Sequence, residues 1–323
     1  MSGEVVKWGD DAQYVSEPIK KKDGRIVPQA FMLWGTPDPL GAVAAVGRMF
    51  KGIPTYDLAD ITDDERRLYW EETFKSHLRA PHEFIQLHFF VEGVSRSHTH
   101  QMVRQRTATF AQESLRFAVK SDLANEIPLP PSIAEGTGAA KVWKDIMWGI
   151  DEAYTKLVNS GIPAEDARGL LPHATTTRLH WRTNLNDLLH HAGNRLCTQA
   201  QFEWRILMIS VMKAMREYNT VPAHKQLSNW LGDAWQWELI AQPTPQTFAP
   251  ICYHTGKCEF RAVFDRPCSI RDRVDAYAAH GQPSSLWGEG IKKPRRDMNQ
   301  ETVEYEVEPI RYEEWLMNPD AAR

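Results

Sequence analysis

The chain has 323 residues, with Lys+Arg 38 against Asp+Glu 42 and a formal net charge of −4. Charge this close to balance excludes a protein that binds nucleic acid through bulk basicity, and 42% hydrophobic residues exclude a disordered chain. No apolar run is long enough to cross a bilayer and the first residues carry no signal-peptide core, so the expectation is a soluble, cytoplasmic protein.

In chain order, residues 1–35 alternate polar and apolar stretches around a KKKDG turn at 20–24, which predicts a strand or two. Small apolar residues after a proline predict a helix from Pro39 or Leu40 to about residue 50. A second helix is predicted over 61–79, with Thr62 as cap and Glu65 three residues on. The β-rich run at 84–92 predicts a strand. A helix then begins at Ser95, and the arginine-rich stretch falls at its end and in the loop beyond. Further helices are predicted over 140–161, from Pro163 to Leu171, over 184–191 and over 198–218. In the last of these, Phe202, Ile206, Ile209, Met212 and Met215 form the apolar side.

After about Trp237 the composition changes. A proline-rich connector (241–250) leads to a cysteine-containing stretch, a KKPRR patch and an acidic end. The expected division is a main domain, 1–240, and a C-terminal extension, 241–323. Cys252, His254, Cys258 and Cys268 offer three thiols and an imidazole to zinc, but with one, three and nine residues between them they do not match a paired knuckle. Buried thiols are the competing reading. The four cysteines do not suggest a disulfide framework, and Cys197 reads as a core residue. The KKPRR patch reads as a solvated surface offset by nearby acids.

The stretch RQRTATFAQESLRF (104–117) concentrates Arg104, Arg106 and Arg116 with Ser114. Guanidinium groups and hydroxyls together suit phosphate or carboxylate. A solvated charged face is the alternative. Arg104 and Arg106 cannot share one helical face, so they would address different groups. A second cluster, residues 167–205, contains Arg168 before Pro172, Asn184 at a helix start and Arg195 near a helix end. Capping accounts for Asn184 and Arg195 equally well at this point.

Read jointly, these segments resemble the flavin-dependent thymidylate synthases. RQRTATFAQESLRF is similar to the family's Arg-His-Arg motif, with seven residues between Arg106 and Ser114. VEGVSRSHTHQMV precedes it like the family's strand-to-helix entry. ARGLLP (167–172), Asn184 followed by Arg195, AQFE (200–203) and the helix at 36–50 extend the likeness over residues 30–240.

The resemblance implies an α+β fold, a mixed domain with a central, largely antiparallel sheet and long helices, assembled as a homotetramer with shared active sites. It implies FAD as cofactor, with NADPH and methylenetetrahydrofolate as co-substrates, and reductive methylation of dUMP to dTMP without a cysteine nucleophile. Arg104, Gln105 and Arg106 would lie at flavin and nucleotide. Gln101, Gln112, Ser114, Arg116 and Arg168 would bind the nucleotide, with Arg168 supplied by another chain. Asn184 and His190 would touch flavin, and Arg195 would hold the pyrimidine ring and act as the catalytic residue.

Three positions depart from the family pattern. Gln105 replaces the central histidine, Phe84 follows Glu83 where the family often has histidine, and Asn186 replaces a basic residue. His82 is the candidate to substitute at position 84, on the same strand face. These departures leave open C5 hydroxymethylation or methylation of dUMP or dCMP by a divergent relative, and also a nucleotide-binding protein without catalysis.

Overall fold

The computed structural model describes residues 5–8, 11–16, 19, 26–76, 78–130, 133, 137–197, 199–218, 234–242, 244, 247–252, 291–296 and 302–307. The KKKDG turn, His254, Cys258 and Cys268 lie outside the described residues. The strands expected near the start are β1 (Val5–Trp8), β2 (Asp11–Val15) and β3 (Gln29–Gly35). α1 (Pro39–Phe50) begins at the expected proline, and α2 (Asp63–Lys75) carries the predicted capping box between Thr62 and Glu65.

The strand predicted over 84–92 is displaced. Ala80–Phe84 forms a 3-10 turn, and β4 runs over Gln86–Ser95. Pro81 stands in the first turn of that 3-10 segment, where its missing N–H is tolerated. Next along the chain come α3 (Arg96–Met102), β5 (Thr109–Gln112), β6 (Ala118–Val119), α4 (Leu123–Glu126) and α5 (Gly138–Asn159). The segment expected as one helix up to Leu171 is α6 (Ala164–Ala167) with a 3-10 turn at Arg168–Leu170. β7 (Thr176–Asn184) was not anticipated, although Leu179, Trp181 and Thr183 alternate inward along it. α7 (Leu185–Arg195), α8 (Phe202–Glu217) and α9 (Ala234–Ile240) complete the helices.

The fold is α+β, with strand orders β3-β4-β7-β5, β1-β2-β6 and a separate hairpin of β8 (Ile291–Arg296) and β9 (Thr302–Val307). β5 and β7 are antiparallel, with Thr109 opposite Arg182 and Gln112 opposite Leu179. In the hairpin, the basic KKPRR segment runs antiparallel to an acidic strand and Lys292 stands opposite Glu306.

The chain divides into two units, Met1–Phe31 with Phe89–Arg182 and Met32–His88 with Thr183–Arg323. In the first, Leu123, Ile127 and Met147 form one buried cluster, and Tyr154, Val158 and Ala167 another. Gly93 has φ 73, and a Cβ there would meet the Val27 carbonyl oxygen at 2.4 Å, so this close approach requires glycine.

In the second unit the start of α1 is satisfied from two sides. Asp38 accepts from the Gly41 N–H at 2.9 Å and Gln236 of α9 accepts from the Leu40 N–H at 2.9 Å. α8 buries Met212 and Met215 of the expected apolar side, together with Trp204, Leu207, Met208 and Val211 from the neighbouring face. Phe202, Ile206 and Ile209 are half-buried. Apolar residues surround this helix, so periodicity alone could not choose its inner face. The start of the C-terminal stretch also packs here: Phe248 and Ala249 are fully buried, and Ala249 and Ile251 lie against Gly193 of α7.

Candidate functional site

The first unit gathers most of the predicted nucleotide ligands. Ser95 caps α3 by accepting from the His98 N–H at 3.1 Å. The exposed amides of the first turn are used as well: Arg96 and Ser97 donate to the carbonyls of Thr175 and His173, both at 2.9 Å. The start of α3 is therefore tied to the segment just after ARGLLP. α3 ends in tight turns, which place Arg104 and Arg106 at the surface and Gln101 and Gln105 half-buried. Among the described residues neither Arg104 nor Arg106 has an ion pair.

Pairing of β5 with β7 fixes the position of Gln112 and of the turn beyond it. The Gln112 amide donates to the Thr99 hydroxyl at 3.0 Å and the Thr177 hydroxyl at 3.4 Å. The chain then turns, with the Phe117 and Ala118 amides donating to the Ser114 carbonyl and the Arg116 N–H donating to the Ser114 Oγ at 3.3 Å. This turn leaves Ser114 and Arg116 exposed side by side. Arg116 reaches Glu165 of α6 at 2.9 Å, and Arg168 donates through Nε to the Glu165 carbonyl at 3.0 Å. Arg116 and Arg168 of one chain thus both contact Glu165.

Arg96, which sequence reasoning passed over, belongs to the same cluster. It donates to the Glu113 carbonyl at 2.7 Å, and its buried Nε has no hydrogen-bond partner among the described residues. Burial lowers its pKa from the usual guanidinium range; Glu113 opposes this and nearby Arg168 adds to it. The signal available in sequence was its position in the first turn after the Ser95 cap.

A buried ionic group supports the cluster from beneath. Lys120, with its side chain 1% exposed, pairs with Glu113 at 2.9 Å, and Arg178 reaches Glu92 at 3.5 Å and Glu113 at 3.9 Å. Burial pushes the Glu113 carboxyl up, but Lys120, the Ser16 hydroxyl and Arg178 together hold it below the usual range.

Asn184, His190 and Arg195 lie in the second unit. Asn184 caps α7: its Oδ1 accepts from the Asp187 N–H and its Nδ2 donates to the Asp187 carboxylate, each at 2.8 Å. His190 is exposed near Asn194. Arg195 ends α7 with its guanidinium 4.9 Å from the centre of the Trp204 ring. Its buried Nε has no hydrogen-bond partner among the described residues, and burial lowers its pKa. His191 packs edge-on to Trp204 at 4.7 Å, and burial, reinforced by Arg195 and His190, brings its pKa to about 3. Arg205 is a second unanticipated arginine, buried with Nε and Nη1 lacking partners among the described residues. Cys197 is buried, as expected of a core residue, and so is Cys252.

The family model described as thymidylate synthase complementing protein matches residues 32–220, more than half of the chain. The flavin-dependent thymidylate synthase of Pyrococcus abyssi is 36% identical over 213 residues, covering 63% of this chain and 80% of the relative. That of Pyrococcus furiosus is 34% identical over 198 residues, covering 59% and 74%. The chain belongs to the flavin-dependent thymidylate synthase family.

The enzyme from Geobacter sulfurreducens is 29% identical over 187 residues, covering 57% of this chain and 81% of the relative. A crystal structure of thymidylate synthase X from Helicobacter pylori, with FAD and dUMP, is similar at 18% identity and a TM-score of 0.47, over 64% of this chain and all of that one.

As a flavin-dependent thymidylate synthase family member the chain is an enzyme, and its departures from the family motif take structural form. Phe84 is 59% exposed at the end of the 3-10 turn. His82 is not on a strand face with it. It is fully buried between Trp70 and Phe74, bonded to the Thr73 hydroxyl at 2.9 Å. Burial, with Arg79 adding to it, brings its pKa to about 3, so it cannot stand in for a solvent-facing histidine. Asn186 donates to Glu83 at 3.3 Å.

Proposed function

We propose that the protein catalyses flavin-dependent C5 methylation of a pyrimidine deoxynucleotide, dUMP to dTMP, with methylenetetrahydrofolate as carbon donor and NADPH as reductant. The observation that carries this reading is the convergence of Arg96, Arg116 and Arg168 beside Ser114 with Glu165 as their exposed acid. Such a set suits a phosphate dianion, whose oxygens accept several charge-assisted hydrogen bonds. Gln101 and Gln112 complete the nucleotide ligands.

Arg104 and Arg106 are exposed guanidinium groups without ion pairs among the described residues, a donor set that fits the pyrophosphate of FAD. Gln105, Asn184 and His190 would hold the rest of the cofactor. Asn184 acts through its position at the start of α7, because its side chain is committed to Asp187. Bound FAD supplies redox and one-carbon chemistry. Arg195 would hold the pyrimidine at its N3–C2=O edge and stabilise negative charge placed there, favouring the electron-rich ring whose C5 is nucleophilic. Ser114 binds phosphate and is not a nucleophile, since no general base adjoins it. Residues 1–240 form the catalytic domain and 241–323 an extension. The functional assembly is a cytoplasmic homotetramer; the self-association in this reading is supported by Phe31, Leu33 and Trp34 of β3, each about 40% exposed.

A second reading, hydroxymethylation at C5 of dUMP or dCMP, is favoured by the exposed Phe84 where the family often has histidine. Anaerobic incubation with NADPH, methylenetetrahydrofolate and either nucleotide, with product mass as readout, separates the two. A methyl gain on dUMP supports the first, and a hydroxymethyl gain the second. Colourless protein that binds nucleotide without turnover overturns both in favour of a binding protein.

A further inference from the structure

Glu165 stands three residues before Arg168, between two residues that anchor α6 by burial, Ala164 and Ala167. Its placement therefore comes from the backbone and does not depend on the ion pair it makes. Its carboxylate holds the Arg116 guanidinium at 2.9 Å, with the Arg116 and Glu165 side chains 50% and 49% exposed, and its carbonyl accepts from Arg168. The other acid of the cluster, Glu113, is committed to Lys120 and Arg178. An anion arriving beside Ser114 therefore meets an Arg116 already engaged by Glu165 through one terminal nitrogen.

We propose that Glu165 is a specificity-determining residue of the phosphate subsite, a carboxylate that occupies Arg116 until a more highly charged group displaces it. The proposal rests on reading Ser114, Arg116 and Arg168 as phosphate ligands. A phosphate monoester near charge −2, with three acceptor oxygens, outbids a single carboxylate for a guanidinium fork. A nucleoside has nothing to offer in exchange and leaves the pair closed. Half-exposed ion pairs are weak, so the resulting threshold is shallow, about two- to five-fold in affinity.

The test is calorimetric titration of the whole protein with dUMP, inorganic phosphate and deoxyuridine, using wild type, Glu165→Gln and Asp166→Asn. Asp166 is an exposed neighbour on the same helix and its loss removes the same charge without releasing Arg116. The expected result is about two- to five-fold tighter binding of dUMP and phosphate by Glu165→Gln, with deoxyuridine unchanged and Asp166→Asn close to wild type. Unchanged or weaker dUMP binding by Glu165→Gln, or an equal gain in Asp166→Asn, overturns the proposal while leaving the phosphate site standing. If wild type binds dUMP no better than deoxyuridine, the phosphate site itself is misassigned and the proposal falls with it.

Discussion

The Arg195 guanidinium lies against the fully buried indole of Trp204, 4.9 Å from the ring centre. An aromatic face orients a guanidinium while leaving its N–H edges available for a ligand. Arg195→Ala is expected to lower kcat for dUMP by about 100- to 1,000-fold, the usual effect of losing one donor to developing charge. Arg195→Lys should recover little of it, because an ammonium neither stacks nor offers paired donors. Steady-state kinetics of both variants check this, and near-normal turnover in Arg195→Ala would sink the assignment.

Arg168 donates to the Glu165 carbonyl through Nε, and its terminal nitrogens are the groups proposed to bind phosphate. Arg168→Ala should weaken dUMP by about ten-fold or more, since hydrogen bonds to charged groups contribute about 1.5–3 kcal/mol. Deoxyuridine affinity should stay within about two-fold of wild type. Ser114→Ala should show the same pattern at smaller amplitude. Equal losses for nucleotide and nucleoside would point to a folding defect.

Lys120 is buried and paired with Glu113, so removing it leaves that carboxylate with only the Ser16 hydroxyl and the more distant Arg178. Lys120→Met should lower stability by about 3–5 kcal/mol. Restoring neutrality with Lys120→Met plus Glu113→Gln should regain part of that loss. Urea denaturation of the single and double variants measures the coupling.

His82 and His191 both have folded pKa values brought to about 3 by burial, from an unperturbed 6.5. Their folded values lie below the unfolded one, so both stay neutral at no cost above about pH 6.5. As pH falls below that, the unfolded chain takes up protons that the folded chain refuses, and stability drops toward pH 3. Each contributes a slope of about 1.4 kcal/mol per pH unit in that window. Melting temperature should fall steadily from pH 7 to pH 5, and less steeply in His82→Asn. A flat profile over that range would contradict the buried placement of these rings.

Gly93→Ala should leave little soluble protein. Its positive φ alone costs about 1–2 kcal/mol with a side chain, and the Val27 carbonyl occupies the space a Cβ would need. Soluble yield and thermal melting measured beside wild type are the check.

Local chemistry was the legible part of this fold. Thr62 with Glu65, Ser95 and Asn184 each announce a helix start through side chains that bond amides three residues on, and the structure has all three caps. Ser114 and Arg116, singled out by their spacing, stand together in one turn, the Arg116 N–H donating to the Ser114 Oγ. Illegible were features decided by partners distant in sequence. β5 is four residues long and acquires its form from β7. Arg96 and Arg205 look like ordinary surface arginines in the text, and only burial marks them. The inner face of α8 could not be chosen because both of its sides are apolar. His82 sits next to a motif position yet points into a core that no short window of sequence reveals.

Composition changes near residue 240, which makes that point an inviting place to trim the protein. Ala249 and Ile251 lie beyond it, and they back Gly193 two residues before Arg195. A cut at 240 would strip the rear support of the very helix that ends in Arg195, the arginine proposed to hold the pyrimidine. Shortened versions intended to keep activity should retain the chain through at least Cys252.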